Sequence, residues 1–322
     1  MRIVLCYPVE AQHLDRIAAA APNAEIINAG QEHIGTEILT ADIFCGHAKV
    51  PVPWDEVVRQ GRLRWIQSSA AGMDHCLVPS VVQSEITVTS ASGVLADQVA
   101  DHTIALLTGL LRSLPLFFRA QQRQEFIRRP TRDLHRSTIG IVGLGGNGRR
   151  LAEVLAPFKT RILATDWFPI DRPPQVERLL PPGALNEILP ELDILILAAP
   201  LTDATRDMID SAAFARMRRG SFLINVARGP LVVEADLIAA LESGQLAGAG
   251  LDVTYTEPLP ESSRLWDQPN LILTPHVGGQ SARRIDDMTE FFCENLRRYQ
   301  AGQPLRNWLA DKRLGFPAPA VE

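Results

Sequence analysis

The feature that most restricts what this chain can fold into is a glycine loop set between an apolar run and a helical pattern. Thr138–Val142 has the near-continuous apolar character of a buried strand. Gly143-Leu144-Gly145-Gly146-Asn147-Gly148 follows at once, and a helix-like stretch then runs to about Pro157. Glycine is common in turns, so the G-x-G-x-x-G spacing alone is a weak signal. The strand before it and the helix after it narrow the reading to a dinucleotide loop in a parallel α/β sheet. In such a loop Gly143 makes the tight turn and Gly145 lets the backbone approach a pyrophosphate. Gly148 lets helix and strand pack closely. The pyrophosphate sits on the helix N-terminus, where free N–H groups and the helix dipole favour an anion. An acid is expected about 20 residues on, and Asp166 lies 18 residues after Gly148 (166 − 148). Its carboxylate would accept from ribose hydroxyls and repel a 2′-phosphate. Trp167 and Phe168 bring no charge to meet one, so NAD is expected over NADP. The plainer alternative is a strand-end Asp that caps a turn.

At 322 residues the chain is long for one core and suggests about two domains. Strand-like runs at Ile3–Cys6, Glu25–Asn28, Ile43–Cys45 and Trp65–Gln67 alternate with helix-like Ala11–Ala20, the mark of a mainly parallel sheet. A loop of small residues, Ser68 to Asp74, follows the last of them. The Asp97–Arg112 stretch is apolar at helical spacing and runs on toward Phe126, with a kink or restart expected at Pro115. Charged Arg128–Arg136 reads as an exposed connection, and Trp167–Gly183, with its prolines, as loop. Further strands are expected at Arg161–Thr165, Asp193–Ala199, Phe222–Asn225, Ala249–Val253 and Leu271–Leu273. Helices are expected at Glu234–Ser243 and Ser281–Ala301, and a loose tail after Trp308, with Pro317 and Pro319.

Hydrophobic residues make up 46% and charged residues 21%, which excludes wholesale disorder. The net charge is −5 and no long basic run occurs, so the electrostatic footprint of a nucleic-acid binder is missing. Cys6, Cys45, Cys76 and Cys293 are scattered, with no zinc spacing, and fit a reducing cytoplasm. No His or carboxylate pair has ligand spacing, so no metal is expected. The first apolar run is too short for a secretory signal, and the longest, Thr103–Leu111, is too short for a membrane span.

Arg228, Glu257 and His276 each stand just beyond a short apolar run downstream of the glycine loop. Ligands of open α/β sheets bind outside the carboxyl ends of the strands. Three polar groups so placed can meet over one cofactor, and an Arg, a carboxylate and a His can bind an acid and move a proton. Taken singly, a His after a Pro or an Arg at a strand end is usually structural. His75 and His102 are read that way.

With these motifs in view the chain resembles the D-2-hydroxyacid dehydrogenases. The resemblance is carried by the glycine loop, Ala199-Pro200-Leu201-Thr202, and Ile224-Asn225-Val226-Ala227-Arg228-Gly229. It continues in Gly250-Leu251-Asp252-Val253, Glu257-Pro258-Leu259 and Thr274-Pro275-His276-Val277-Gly278, and more thinly in Ala71-Gly72-Met73-Asp74 and Val99-Ala100-Asp101-His102. It implies an α/β protein of two Rossmann-like domains with parallel sheets. The substrate domain would be 1–95 completed by 283–322, and the NAD domain 96–282, with the active site in a cleft between them. It also implies hydride exchange between NAD(H) and a small D-2-hydroxy or 2-keto acid, with glyoxylate or hydroxypyruvate first. His276 would carry the proton, and Glu257 would fix its tautomer and stabilise the imidazolium. Arg228 would bind the substrate carboxylate and polarise the carbonyl. The N–H groups of Ala71, Gly72 and Met73 would also hold the carboxylate, and Asp252 would bind the nicotinamide amide. Gly143, Gly145, Gly146, Asn147, Gly148, Asp166, Pro200, Thr202, Ala227 and Gly278 would line the cofactor. A homodimer through the NAD domain is implied.

Three residues depart from the family pattern: Asn147 where Ile is usual, Phe126 where Trp is common, and Asp101 in place of Glu. Phosphoglycerate is a competing substrate, disfavoured because the 68–74 loop has no Lys or Arg. The competing function is an NAD-sensing corepressor on the same fold, which would keep the same three residues.

Overall fold

A computed structural model of the chain describes residues 1–318. It divides into two compact units, one formed by Met1–Leu95 with the segment from Ser281 onward, the other by Ala96–Gln280. Each is built on its own parallel sheet.

The first unit contains β1 (Arg2–Cys6), β2 (Glu25–Asn28), β3 (Ile43–Gly46), β4 (Trp65–Ser68) and β5 (Thr87–Thr89) in the order β2-β1-β3-β4-β5. All pairs are parallel, so each strand needs a crossover. Helices Ala11–Ala20, Gly30–Glu37, Trp54–Gln60 and Pro79–Gln83 lie on these connections. The last three, like β5, are too short to leave a periodic apolar pattern, and sequence reading passes over them. The Arg284–Gln300 helix returns to this unit, and its Phe292 and Tyr299 pack on the fully buried Trp65. A buried polar chain runs beneath β4. Trp65 Nε1 donates to Thr89 Oγ1 (2.8 Å), and Thr89 Oγ1 (2.8 Å) and Asn295 Nδ2 (2.9 Å) both donate to Gln67 Oε1.

The tail is not loose where it is described. Trp308 bridges to Thr89, Leu309 N–H donates to Val88 O (2.9 Å), and the Lys312 ammonium donates to the carbonyls of Val81, Ser84 and Ile86. The physical reason is that β5 is an edge strand with open backbone groups, and the tail covers them. Pro319, and with it 319–322 of the expected 283–322 segment, lies outside the described residues.

The second unit holds β6 (Thr138–Val142), β7 (Arg161–Thr165), β8 (Val176–Leu180), β9 (Ile194–Leu197), β10 (Ser221–Asn225), β11 (Leu246–Leu251) and β12 (Leu271–Leu273). Their order is β12-β11-β10-β9-β6-β7-β8, all parallel. The order reverses between β6 and β9, which makes their carboxyl ends the topological switch point. β8 lies inside the stretch read as loop. At Pro115 the chain restarts: the Ala96–Leu111 and Leu114–Gln122 helices meet at a 68° bend. No single helix among the described residues is long and apolar enough to cross a membrane.

Candidate active site

The glycine loop leaves β6 at the switch point. Gly143 has φ +92°, and a side chain there would meet the Ala199 backbone at 2.7 Å. A Cβ on Gly148 would lie 2.0 Å from the Gly143 carbonyl oxygen. Both glycines are therefore steric necessities of this loop. Gly143 N–H donates to Thr165 O (2.8 Å) on one side, and Ala198 N–H donates to Val142 O (2.8 Å) on the other. The Gly146–Leu155 helix starts from Gly145 with no side-chain cap, and Asn147 stands half-exposed in its first turn. A helix start without a side-chain cap suits a pyrophosphate. Asp166 lies at the end of β7, where its Oδ2 accepts from Leu144 N–H (2.6 Å) and its Oδ1 from Phe168 N–H (2.9 Å). The carboxylate thus braces the glycine loop and keeps lone pairs for ribose hydroxyls. After β9, Thr205 closes the Pro200–Thr205 turn by accepting from Thr202 N–H (2.8 Å) and donating to Pro200 O (2.7 Å).

Register places two of the three polar residues. Asn225 on β10 pairs with Leu251 on β11, and Leu251 with Leu273 on β12. Arg228 and His276 each stand three residues beyond those partners (228 − 225 and 276 − 273). They leave the sheet at one level on strands two apart, a separation of roughly 10 Å at ordinary strand spacing. Buried Asn225 shapes the Arg228 turn: its Nδ2 donates to Arg228 O (2.9 Å) and its Oδ1 accepts from Ala227 N–H (3.1 Å). The Arg228 guanidinium in turn donates to Ala227 O (2.8 Å).

Glu257 and His276 meet directly, with Glu257 Oε2 2.8 Å from His276 Nδ1. A carboxylate only accepts, so Nδ1 is the donor, and Nε2 is left as the nitrogen that can give or take a proton. The other Glu257 oxygen accepts from Thr254 N–H (3.1 Å), which fixes the carboxylate plane. His276 has φ +54°, rare for a residue with a side chain. Its N–H is held by Asp252 O (2.7 Å), and the buried Asp252 carboxylate accepts from Val277 N–H (2.9 Å) and Gly278 N–H (2.8 Å).

Two histidines read as incidental have partners. His102 Nε2 lies 2.9 Å from Thr274 Oγ1 and 3.2 Å from Asp252 Oδ1. In the other unit His75 stacks on His47 at 4.0 Å, with Nε2 3.4 Å from Ser68 Oγ. The sequence showed His102 as a polar ring among Val99, Ala100, Thr103 and Leu106, within a thin family motif, but not its partners, which lie 150 residues or more downstream. In the 68–74 loop, Ser68 Oγ bonds both the N–H and the carbonyl of Ala70 (3.0 Å each). Among the described residues, the N–H groups of Ala71, Gly72 and Met73 meet no acceptor. Also among the described residues, no three His, Cys, Asp or Glu are grouped to hold a metal.

This arrangement has relatives. Residues 104–278 match the model of the D-isomer specific 2-hydroxyacid dehydrogenase NAD-binding domain. A glycerate dehydrogenase of Methylorubrum extorquens is 31% identical over 80% of this chain and 82% of its own. A glyoxylate reductase of Thermofilum pendens is 34% identical over 73% and 71%. Among solved structures, a D-isomer specific 2-hydroxyacid dehydrogenase of Xanthobacter autotrophicus, in complex with NADPH and MES, is 28% identical with a TM-score of 0.83, covering 97% of this chain and 99% of that one. Two parallel sheets, a glycine loop at the switch point and a His–Glu pair beyond β12 and β11 go with these matches, and the chain belongs to the D-isomer specific 2-hydroxyacid dehydrogenase family.

Proposed function

We propose that this oxidoreductase reduces a small 2-keto acid, glyoxylate or hydroxypyruvate first, with Arg228, Glu257 and His276 as its catalytic residues. The observation that carries the reading is the 2.8 Å contact between His276 and Glu257, which engages Nδ1 and leaves Nε2 for the substrate oxygen. NAD(H) supplies the hydride when bound. Gly143, Gly145, Gly146, Asn147 and Gly148 hold its pyrophosphate, and Asp166 its ribose. Pro200, Thr202, Ala227 and Gly278 would line it, and Asp252 would bind the nicotinamide amide. Arg228 pairs with the substrate carboxylate and polarises the carbonyl as charge gathers on its oxygen. His276 delivers the proton to that oxygen from Nε2, and Glu257 stabilises the imidazolium. The open N–H groups of Ala71, Gly72 and Met73 supply further carboxylate donors.

A small, unphosphorylated substrate is favoured because the 68–74 loop offers no Lys or Arg to a phosphate. The names of two relatives, glyoxylate reductase and glycerate dehydrogenase, agree with a small acid. NAD is preferred to NADP because the Asp166 carboxylate stands at the end of β7, where a 2′-phosphate would meet it. We assign a cytoplasmic homodimer, the compartment being supported by four free, buried cysteines. NADH oxidation against glyoxylate, hydroxypyruvate, pyruvate and bulkier 2-keto acids tests the proposal, with His276→Ala as control. Wild-type turnover well above that control is expected, and none across the panel would refute it.

A further inference from the structure

We infer that His102 is a positioning residue for this reaction, acting through Asp252 on the loop that presents His276. The inference rests on the role proposed for His276.

The Asp252 carboxylate is buried, and four donors converge on it. Oδ2 accepts from Gly278 N–H (2.8 Å). Oδ1 accepts from Val277 N–H (2.9 Å) and Thr274 Oγ1 (2.7 Å), with His102 Nε2 at 3.2 Å. Thr274, Val277 and Gly278 bracket His276 on both sides. The carboxylate therefore clamps a loop whose central residue sits at φ +54°. Such backbone persists only where its surroundings over-determine it.

The proton on His102 follows from its neighbours. The Thr274 hydroxyl hydrogen is committed to Asp252, so Nε2 faces two oxygens that offer only lone pairs, Thr274 Oγ1 at 2.9 Å and Asp252 Oδ1 at 3.2 Å. A bare Nε2 would be repelled by both, so Nε2 carries a hydrogen and shares it between them. His102 comes from the Ala96–Leu111 helix, whose inner face is packed in the apolar core of this unit. Among the described residues it is the one donor to the Asp252 carboxylate that does not come from the clamped loop itself. It anchors the clamp to a rigid element, and without it the carboxylate and the loop are free to move together. Space at this junction is already used, since a Cβ on Gly278 would lie 2.8 Å from Asp252 Oδ2 and 3.5 Å from His102 Cδ2.

Conservative replacements separate positioning from bulk. A Gln at 102 places its amide nitrogen near the Nε2 position, an Asn stops near Nδ1, and a Leu offers no donor. Each variant is assayed for kcat and KM with glyoxylate and NADH. Its His276 imidazole signals are recorded by 15N NMR without cofactor, assigned against His276→Ala. Losing one hydrogen bond to a buried carboxylate should lower kcat about ten-fold in His102→Leu and His102→Asn, with KM for the keto acid changed by no more than about two-fold. His102→Gln should stay within about three-fold of wild type. The His276 signals should move in Leu and Asn and hold in Gln. Wild-type kcat and unmoved His276 signals in His102→Leu would overturn the inference. If the Leu protein does not fold, equal kcat in Gln and Asn does the same. Absence of wild-type turnover on any 2-keto acid would sink the reaction assignment, while the NMR comparison would still decide whether His102 positions His276.

Discussion

Replacing Gly148 by Ala should separate cofactor binding from stability. The new methyl would start 2.0 Å from the Gly143 carbonyl oxygen, against an ordinary contact of about 3.4 Å. A displacement of more than about 1 Å must follow, and neither partner is a flexible side chain. Gly143 cannot retreat, because its N–H is tied to Thr165 O and its Cα is backed by Ala199. The first turn of the helix must therefore lift away from the loop. Such overpacking costs roughly 1–3 kcal/mol, offset by about 1 kcal/mol from the better helix propensity of Ala. The net destabilisation is small, of the order of 0–2 kcal/mol, and urea unfolding would measure it. The pyrophosphate seat proposed for this loop has no such compensation, since a shift of about 1 Å in positioned groups can cost on the order of a hundred-fold. The Kd for NADH, read by quenching of tryptophan fluorescence, should rise between about 10- and 100-fold. Gly183→Ala is the control, because a Cβ there meets nothing within 4 Å. A folded Gly148→Ala protein with wild-type NADH affinity would refute the steric argument and remove this loop from the cofactor site.

Two further outcomes are expected. Arg228→Ala should raise KM for the keto acid and lower kcat together, with kcat/KM falling by at least about a hundred-fold for loss of a charge-assisted contact that strengthens in the transition state; unchanged steady-state kinetics would take Arg228 out of the site. Burial pushes the Cys6 thiol up to about 11 and raises Cys45, Cys76 and Cys293, so the reactive thiolate is scarce in the fold at pH 8. Ellman titration should find almost no fast thiol in native protein and four in guanidinium, and rapid native labelling would show that these cysteines open locally.

The strands that carry the site were legible because both faces of their sheet are covered. Thr138–Val142, Arg161–Thr165 and Leu271–Leu273 read from the sequence with the bounds they have in the structure. β8 was not legible. It is an edge strand between prolines, its Glu177 is exposed, and it leaves no apolar run. Glu257 and His276 stood out by following β11 and β12, their pairing was implied by the family resemblance, and the structure places their side chains 2.8 Å apart. His102 carried none, since a single imidazole on an apolar helix says nothing about a carboxylate 150 residues away. The tail was misread for a related reason. Its prolines describe local chain, while its anchor, the Lys312 ammonium on three carbonyls, is a tertiary fact.

The interrupted first unit has a consequence for synthesis. Residues 96–280 leave the ribosome as one uninterrupted stretch, with all seven strands of their sheet, before any of the Arg284–Gln300 helix has emerged. The earlier-made β1–β5 sheet is completed only by that helix, because Trp65 takes aromatic partners and Gln67 its Asn295 donor from the end of the chain. The unit made first is the last to be completed, and in the interval the bare β4 face and the open β5 edge are the surfaces a nascent-chain chaperone would meet.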